Sequence, residues 1–331
     1  MNKFRLNIYN ALSIILSLFF VYGLVIIIND FDEIFSNISK VNVFIIMSAT
    51  FVYFISVIFR YLRWKFIYKE LIGNYKLNMF METIIGYMAN NIFPFRLGEI
   101  YRVKRVSDKE SISFIKVLST IFTERLTDIL ALLIFIIISL PFIKEFNYVI
   151  ELDDRNIDLL DFGNYLINYF IIITLFSIVF FVIYKLKIPL IESLISKLLN
   201  FIKSLTVFFS KKRSIKKYIN LSILSFLIWF IEAGVYYIVS VEILPNHNKL
   251  DLLFMILFVC SITNLSGVIP SLPANIGGFE FFGTLAFLIL GISTNQGASI
   301  IITVHLILFI PISLFGIIIL LSEKLNLIKK K

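Results

Sequence analysis

The sequence predicts an all-α polytopic membrane protein, with about six crossing helices and two broken, re-entrant segments in a single membrane domain over 1–331. Three observations lead there. Hydrophobic residues make up 59% of the chain and charged residues only 16%, outside the balance of a soluble domain. Apolar runs of about 20 residues, enough to span a bilayer core, recur along it. Two further apolar runs are interrupted by Pro and Gly, and such breaks persist at membrane depth where they are buried in protein or line a cavity.

The first run, 8–28 behind Lys3 and Arg5, is too long for a signal peptide and lacks a small-residue cleavage site, so an uncleaved crossing is expected. Asp30, Asp32 and Glu33 form an acidic loop, and a second crossing over 41–66 closes on Arg60, Arg63, Trp64 and Lys65, read as an interfacial anchor. The segment 79–93 is too short to cross comfortably and ends at Asn90, Asn91, Pro94 and Gly98, as a re-entrant segment would. The third crossing covers 114–140, an acidic loop follows, and the fourth covers 165–184. Over 188–213 apolar residues at helical spacing oppose a charged face, which predicts an amphipathic helix on the cytoplasmic surface. With Lys216 and Lys217 it forms a basic face suited to anionic lipid. The fifth crossing, 219–241, carries Glu232; 251–291 is broken at Gly267, Pro270, Pro273, Gly277 and Gly278; the sixth, 298–321, carries His305 and Pro311.

If both broken segments enter and leave on one side, the charges sort cleanly. Of 31 Lys and Arg, only Lys40, Lys144, Arg155 and Lys249 fall on one face, Arg125 stays in the membrane, and the rest share the other face. The positive-inside bias then puts both termini in the cytoplasm of a cell-membrane protein. An internal repeat is also visible. Pro94 and Gly98 match Pro273 and Gly277 at an offset of 179, and Glu99 and Glu124 match Glu280 and His305 at 181. The units, 41–140 and 219–321, would point in opposite directions, the inverted-repeat plan of many secondary transporters.

Candidate functional residues follow from the cost of charge in lipid, roughly 2.5–3.5 kcal/mol at a helix centre on insertion scales. Glu124 lies eight residues beyond Lys116, roughly 12 Å deep at about 1.5 Å per residue. Thr120, Glu124, Thr127 and Asp128 share a helical face, and Arg125 reaches Asp128 at i+3, as either an ion pair that locks the helix or part of a site. Glu124 and Glu232 have no opposite charge nearby on their own helices, which points to a substrate or proton role; replacing Glu124 is therefore expected to spare folding. His305 reads as either a hydrogen-bonded buried imidazole or a proton relay. Arg96, beside a break, suits a phosphate or snorkels to the interface. Asn91, Glu99, Arg102 and Glu280 complete the candidate substrate-binding set. Two histidines and one cysteine cannot build a zinc site, and neither a phosphate-binding glycine loop nor a dinucleotide fingerprint occurs. No catalytic residue, metal, cofactor or nucleic-acid partner is expected.

The string Pro94-x-Arg96-x-Gly98-Glu99-x-x-Arg102, followed by Glu124-Arg125-x-x-Asp128, resembles the lysylphosphatidylglycerol synthase transmembrane-region family of flippase-like membrane proteins. Pro273-x-x-x-Gly277-Gly278-x-Glu280 is similar to its second glycine-rich motif, although many members place another glycine before the glutamate. The resemblance implies a stand-alone membrane region that binds or moves a polar lipid: a phospholipid, an aminoacyl-lipid or a lipid-linked sugar. Arg96 and Arg102 would hold phosphate, while Glu124, Asp128 and Glu232 would meet a cationic or hydroxyl-rich headgroup. It also leaves open a membrane transferase acting on a lipid carrier, or a partner subunit that docks through the amphipathic helix.

Overall fold

A computed structural model describes residues 3–28, 30–143, 149–152, 155–158, 196, 199–210, 215–269 and 272–325. The expected fourth crossing over 165–184, most of 188–198 and Pro270 lie outside the described residues. The described regular structure is helical apart from one antiparallel hairpin in the acidic loop, β1 (Val149–Leu152) paired with β2 (Arg155–Asp158).

The helices are α1 (Lys3–Ile27), α2 (Phe31–Lys40), α3 (Val43–Leu71), α4 (Met79–Ile92), α5 (Leu97–Glu110), α6 (Phe114–Ser139), α7 (Ile215–Ile243), α8 (Lys249–Leu265), α9 (Gly278–Ile289) and α10 (Thr294–Lys324). By length and composition α3, α6, α7, α8 and α10 can each cross a membrane, and α1 with α2 forms a further pair bent by 93°. The acidic loop of the sequence is thus the start of a helix. Asp30 caps α2, accepting from the backbone N–H of Asp32 at 2.8 Å and Glu33 at 3.1 Å.

Each crossing turns apolar residues outward and small or polar ones inward. On α3, Phe44, Met47, Phe51 and Ile58 are exposed at helical spacing, while Ala49, Ser56, Val57, Arg60, Arg63 and Trp64 are buried. That pattern suits a protein whose solvent is lipid, where small residues let backbones approach and polar side chains join helices.

Two breaks shape the centre. The first, Pro94–Arg96, puts Phe95 and Arg96 in the left-handed region at φ 56 and 52. The second, Pro273–Asn275, puts Ala274 and Asn275 there at φ 58 and 63. The two pairs stand at the same offset of 179 that relates Pro94 to Pro273. The breaks also contact each other directly. Left-handed non-glycine residues cost of order 1–3 kcal/mol each and cluster at functional sites.

α4 and α5 form a hairpin. The backbone N–H groups of Lys76 and Leu77, before α4, both donate to the Glu110 carboxylate at the end of α5 at 2.7 Å. Fourteen residues make each arm only about 21 Å long, so the segment returns before spanning a core about 30 Å thick. Other contacts sort the ends consistently. Glu70 meets Lys217, and Glu323 meets Arg105 and Lys109, at one end; Asp30 and Glu33 meet Asn295, and Phe142 stacks on Phe254, at the other. In the second unit α8 is long enough to cross by itself before the break, and α9, with 12 residues, is not.

Of the amphipathic segment, residues 199–205 are helical and Val207–Ser210 add a turn. Phe208 is buried with Ile67 and Leu221, while Leu199, Phe201 and Ile202 are exposed.

The closest approach in the α4–α5 hairpin is at Gly98, where a Cβ would lie 2.1 Å from the Asn90 backbone nitrogen and 2.4 Å from the Ala89 carbonyl carbon. Backbone cannot swing aside as a flexible side chain can. Gly98→Ala is expected to lower stability by about 1–3 kcal/mol, seen as a lower melting temperature in detergent. Gly234→Ala, whose Cβ would meet only Val52 Cγ1 at 3.6 Å, should leave it unchanged.

Candidate functional site

A cavity of about 560 Å³ opens where the two breaks meet, walled by residues from each of α3 to α10. Its polar lining comprises Arg60, Asn90, Asn91, Arg96, Glu99, Arg125, Asp128, Glu232, Asn264, Asn275 and His305, framed by Tyr53, Tyr87, Trp229 and Phe279. That is the size and mixture of a site for a small polar group in apolar walls.

The lining is held by ion pairs between helices. Arg60 on α3 pairs with Glu232 on α7, and its guanidinium lies 4.6 Å from the Trp229 ring centre and 5.5 Å from that of Tyr87. Arg63, one turn on, donates to Asp128 of α6 at 2.7 Å and to the Ser225 hydroxyl of α7 at 3.0 Å. Asp128 also accepts from Trp229 Nε1 at 2.8 Å and lies 3.3 Å from Arg125, so the i+3 pair read from the sequence is present. Arg125 meets Glu99 at 3.3 Å. Thr120 accepts from Trp64 Nε1 at 3.0 Å, fixing α3 on α6 below this layer.

Two expectations are corrected. Glu124 and Arg102 pair with each other behind the cavity wall and do not line it. Glu124 is fully buried and also 3.8 Å from Arg63; Arg102 stacks 4.3 Å over the Trp64 ring. Arg102 therefore does not face a phosphate in the cavity, and Glu124 is not isolated: its partners come from α3 and α5, outside the reach of i±4 reasoning. Arg60, Arg63 and Trp64 are likewise buried among helices rather than anchored at the interface. Their signal was present in the sequence as polar residues at i, i+3 and i+4 on one face, matching the spacing of Glu124 and Asp128 on α6.

The other candidates, Glu280 excepted, line the cavity. Asn91 donates to Phe309 O at 3.3 Å and Ser313 Oγ at 2.8 Å, bridging α4 to α10 beside Pro311. His305 stacks on Phe279 at 4.4 Å, with Nδ1 on the Glu280 carboxylate and Nε2 on the Ala274 carbonyl at 3.0 Å. Glu280 itself is set back from the lining and accepts from the Gly277 N–H at 2.8 Å, closing the start of α9. Both breaks are thus followed by a carboxylate that pairs with a base on the next crossing helix, Glu99 with Arg125 and Glu280 with His305. Arg96 lines the cavity and has no ion pair or hydrogen bond among the described residues. Among those residues no cluster of His, Cys, Asp or Glu could hold a metal ion.

Removing one member of a buried pair leaves its partner uncompensated, at about 3–5 kcal/mol. Asp128→Asn takes from Arg63 its nearest carboxylate and from Arg125 one of two, and Glu124→Gln strands Arg102, so both variants should lose yield and thermal stability in detergent. Arg96→Gln, which strands nothing, should keep both. Equal stability of all three variants would show that the pairs do not carry the fold.

The sequence comparisons agree with this architecture. The family model for the lysylphosphatidylglycerol synthase TM region matches residues 11–316, which include both breaks and every cavity residue. A UPF0104 membrane protein from Methanocaldococcus jannaschii is 29% identical over 245 residues, covering 73% of this chain and 96% of that protein. The chain is a multi-pass membrane protein that belongs to the lysylphosphatidylglycerol synthase transmembrane-region family.

Proposed function

We propose that this protein binds a membrane lipid by its polar headgroup in the cavity between the two breaks and passes it between leaflets. The observation that carries the reading is the placement of the charge. Arginines and carboxylates that would be costly in lipid are gathered from four helices and the first break around one space of about 560 Å³, while the outer faces of the described crossings remain apolar. A headgroup can occupy the charged space while its acyl chains stay among the exposed Phe, Leu and Ile side chains. The paired breaks suit alternating access, since two broken segments that touch can open to either face by moving against each other.

The protein sits in the cell membrane with both termini in the cytoplasm, on the lysine and arginine sorting. Its basic face, which includes Lys104, Lys216 and Lys217, binds anionic lipid. With Cys260 replaced, single cysteines at Lys76 and Ser107 should react with an impermeant reagent from the same, cytoplasmic face. Reaction from opposite faces would sink both the re-entrant hairpin and this orientation.

Transport is tested in liposomes. Headgroup-labelled lipid in the inner leaflet should become accessible to an external quencher faster with the protein than without it. Leu308→Trp, which adds bulk to the cavity wall without touching a charge, should slow that exchange. Rates equal to empty liposomes for phospholipid, glycolipid and polyprenyl lipid alike, with transfer of labelled sugar or amino acid to lipid, would make the protein a transferase instead.

A further inference from the structure

The charges of the ion-pair network in and behind the cavity wall do not cancel. Five arginines (Arg60, Arg63, Arg96, Arg102, Arg125) stand among four carboxylates (Glu99, Glu124, Asp128, Glu232). Each carboxylate is engaged by an arginine other than Arg96. Glu280 is engaged by His305 and stands back from the lining. The apolar stretch 162–184 has no Lys, Arg, Asp or Glu in its sequence and adds no charge. At the position equivalent to Arg96 in the second unit stands Asn275, a neutral side chain whose Nδ2 donates to Ser266 Oγ at 3.0 Å. Among the described residues Arg96 is left without a carboxylate of its own, and it lines the cavity.

We infer that the cavity is specific for a net-anionic, phosphate-bearing headgroup seated on Arg96, and that it disfavours headgroups with an added ammonium. This rests on the reading that the cavity receives a lipid headgroup. A guanidinium presents a planar fork that meets two phosphate oxygens at once, and an uncompensated cation out of water gains most from an anionic partner. A cationic headgroup would find every carboxylate already facing an arginine of the same chain. Gly267 places the Arg96 side chain: a Cβ there would lie 2.0 Å from Nη2 and 2.9 Å from Cζ, so only glycine lets the guanidinium lie along this wall. The amino end of α5, which begins beside Arg96, adds a smaller attraction for the same charge.

The test titrates the full-length protein in detergent with dioctanoyl phosphatidylglycerol, its lysyl ester, glycerol 3-phosphate and inorganic phosphate. Fluorescence of Trp229, in the cavity wall, is the readout. Phosphatidylglycerol should bind about tenfold or more tightly than its lysyl ester, the gap a charge-assisted hydrogen bond supplies. Arg96→Gln should remove about that factor, and Gly267→Ala should do the same by displacing the guanidinium while keeping every charge. Arg96→Lys should retain part of the binding. Equal binding of the lysyl ester, or unchanged binding by folded Arg96→Gln and Gly267→Ala, overturns the inference. Lipid exchange that is indifferent to Arg96 also overturns it and leaves the translocator reading standing. Binding of glycerol 3-phosphate or phosphate as tight as the lipid upholds the anion site and overturns the lipid reading.

Discussion

A guanidinium taken out of water must find a carboxylate, and most of this structure can be traced to that requirement. Arg60 and Arg63 sit on the inward face of α3 and can be satisfied only if α6 and α7 bring Asp128, Glu124 and Glu232 to them. Apolar packing alone leaves membrane helices free to rotate against one another, because lipid is as apolar as the helix faces. The ion pairs, together with the Trp64–Thr120 and Trp229–Asp128 hydrogen bonds, select one rotation for each helix. They also explain why polar residues so deep in the chain are compatible with a stable fold.

The breaks serve a different purpose. Backbone that leaves the helix inside a membrane has to be covered by protein, and the two breaks cover each other. Their matching left-handed pairs, Phe95–Arg96 and Ala274–Asn275, give the same turn twice, and both turns face one cavity. The units differ in chemistry at equivalent points. The first places Arg96 and the Glu99–Arg125 pair at the cavity; the second places Asn275 and the Glu280–His305 pair there. The two breaks thus repeat one backbone turn while the side chains they present differ in charge.

The family name points to an aminoacylated lipid in some of its members, yet the carboxylates that could receive an added amine are engaged here by arginines of the same chain. The proposed headgroup preference rests on Arg96. Family membership settles the membrane architecture, while the residues that line the cavity, and their pairing, bear on which headgroup enters.

The sequence by itself determined the class of the protein and most of its helices. Crossing helices need long apolar runs, and breaks need Pro and Gly, so the runs that became α1, α3, α6, α7 and α10, and both breaks, were legible with ends within a few residues. The Arg125–Asp128 pair was legible too, because one helix turn brings i and i+3 together. What only the tertiary structure decided was which charges meet across helices. Glu124 looked solitary because its partners, Arg102 and Arg63, are supplied by α5 and α3; Arg60 and Arg63 looked interfacial because nothing along α3 reveals what packs on it. Spacing along a chain encodes neighbours on one helix, but pairing between helices depends on how their faces rotate and stack. For that reason Arg96, without an ion pair among the described residues, could be picked out only after the arginines around it had been matched.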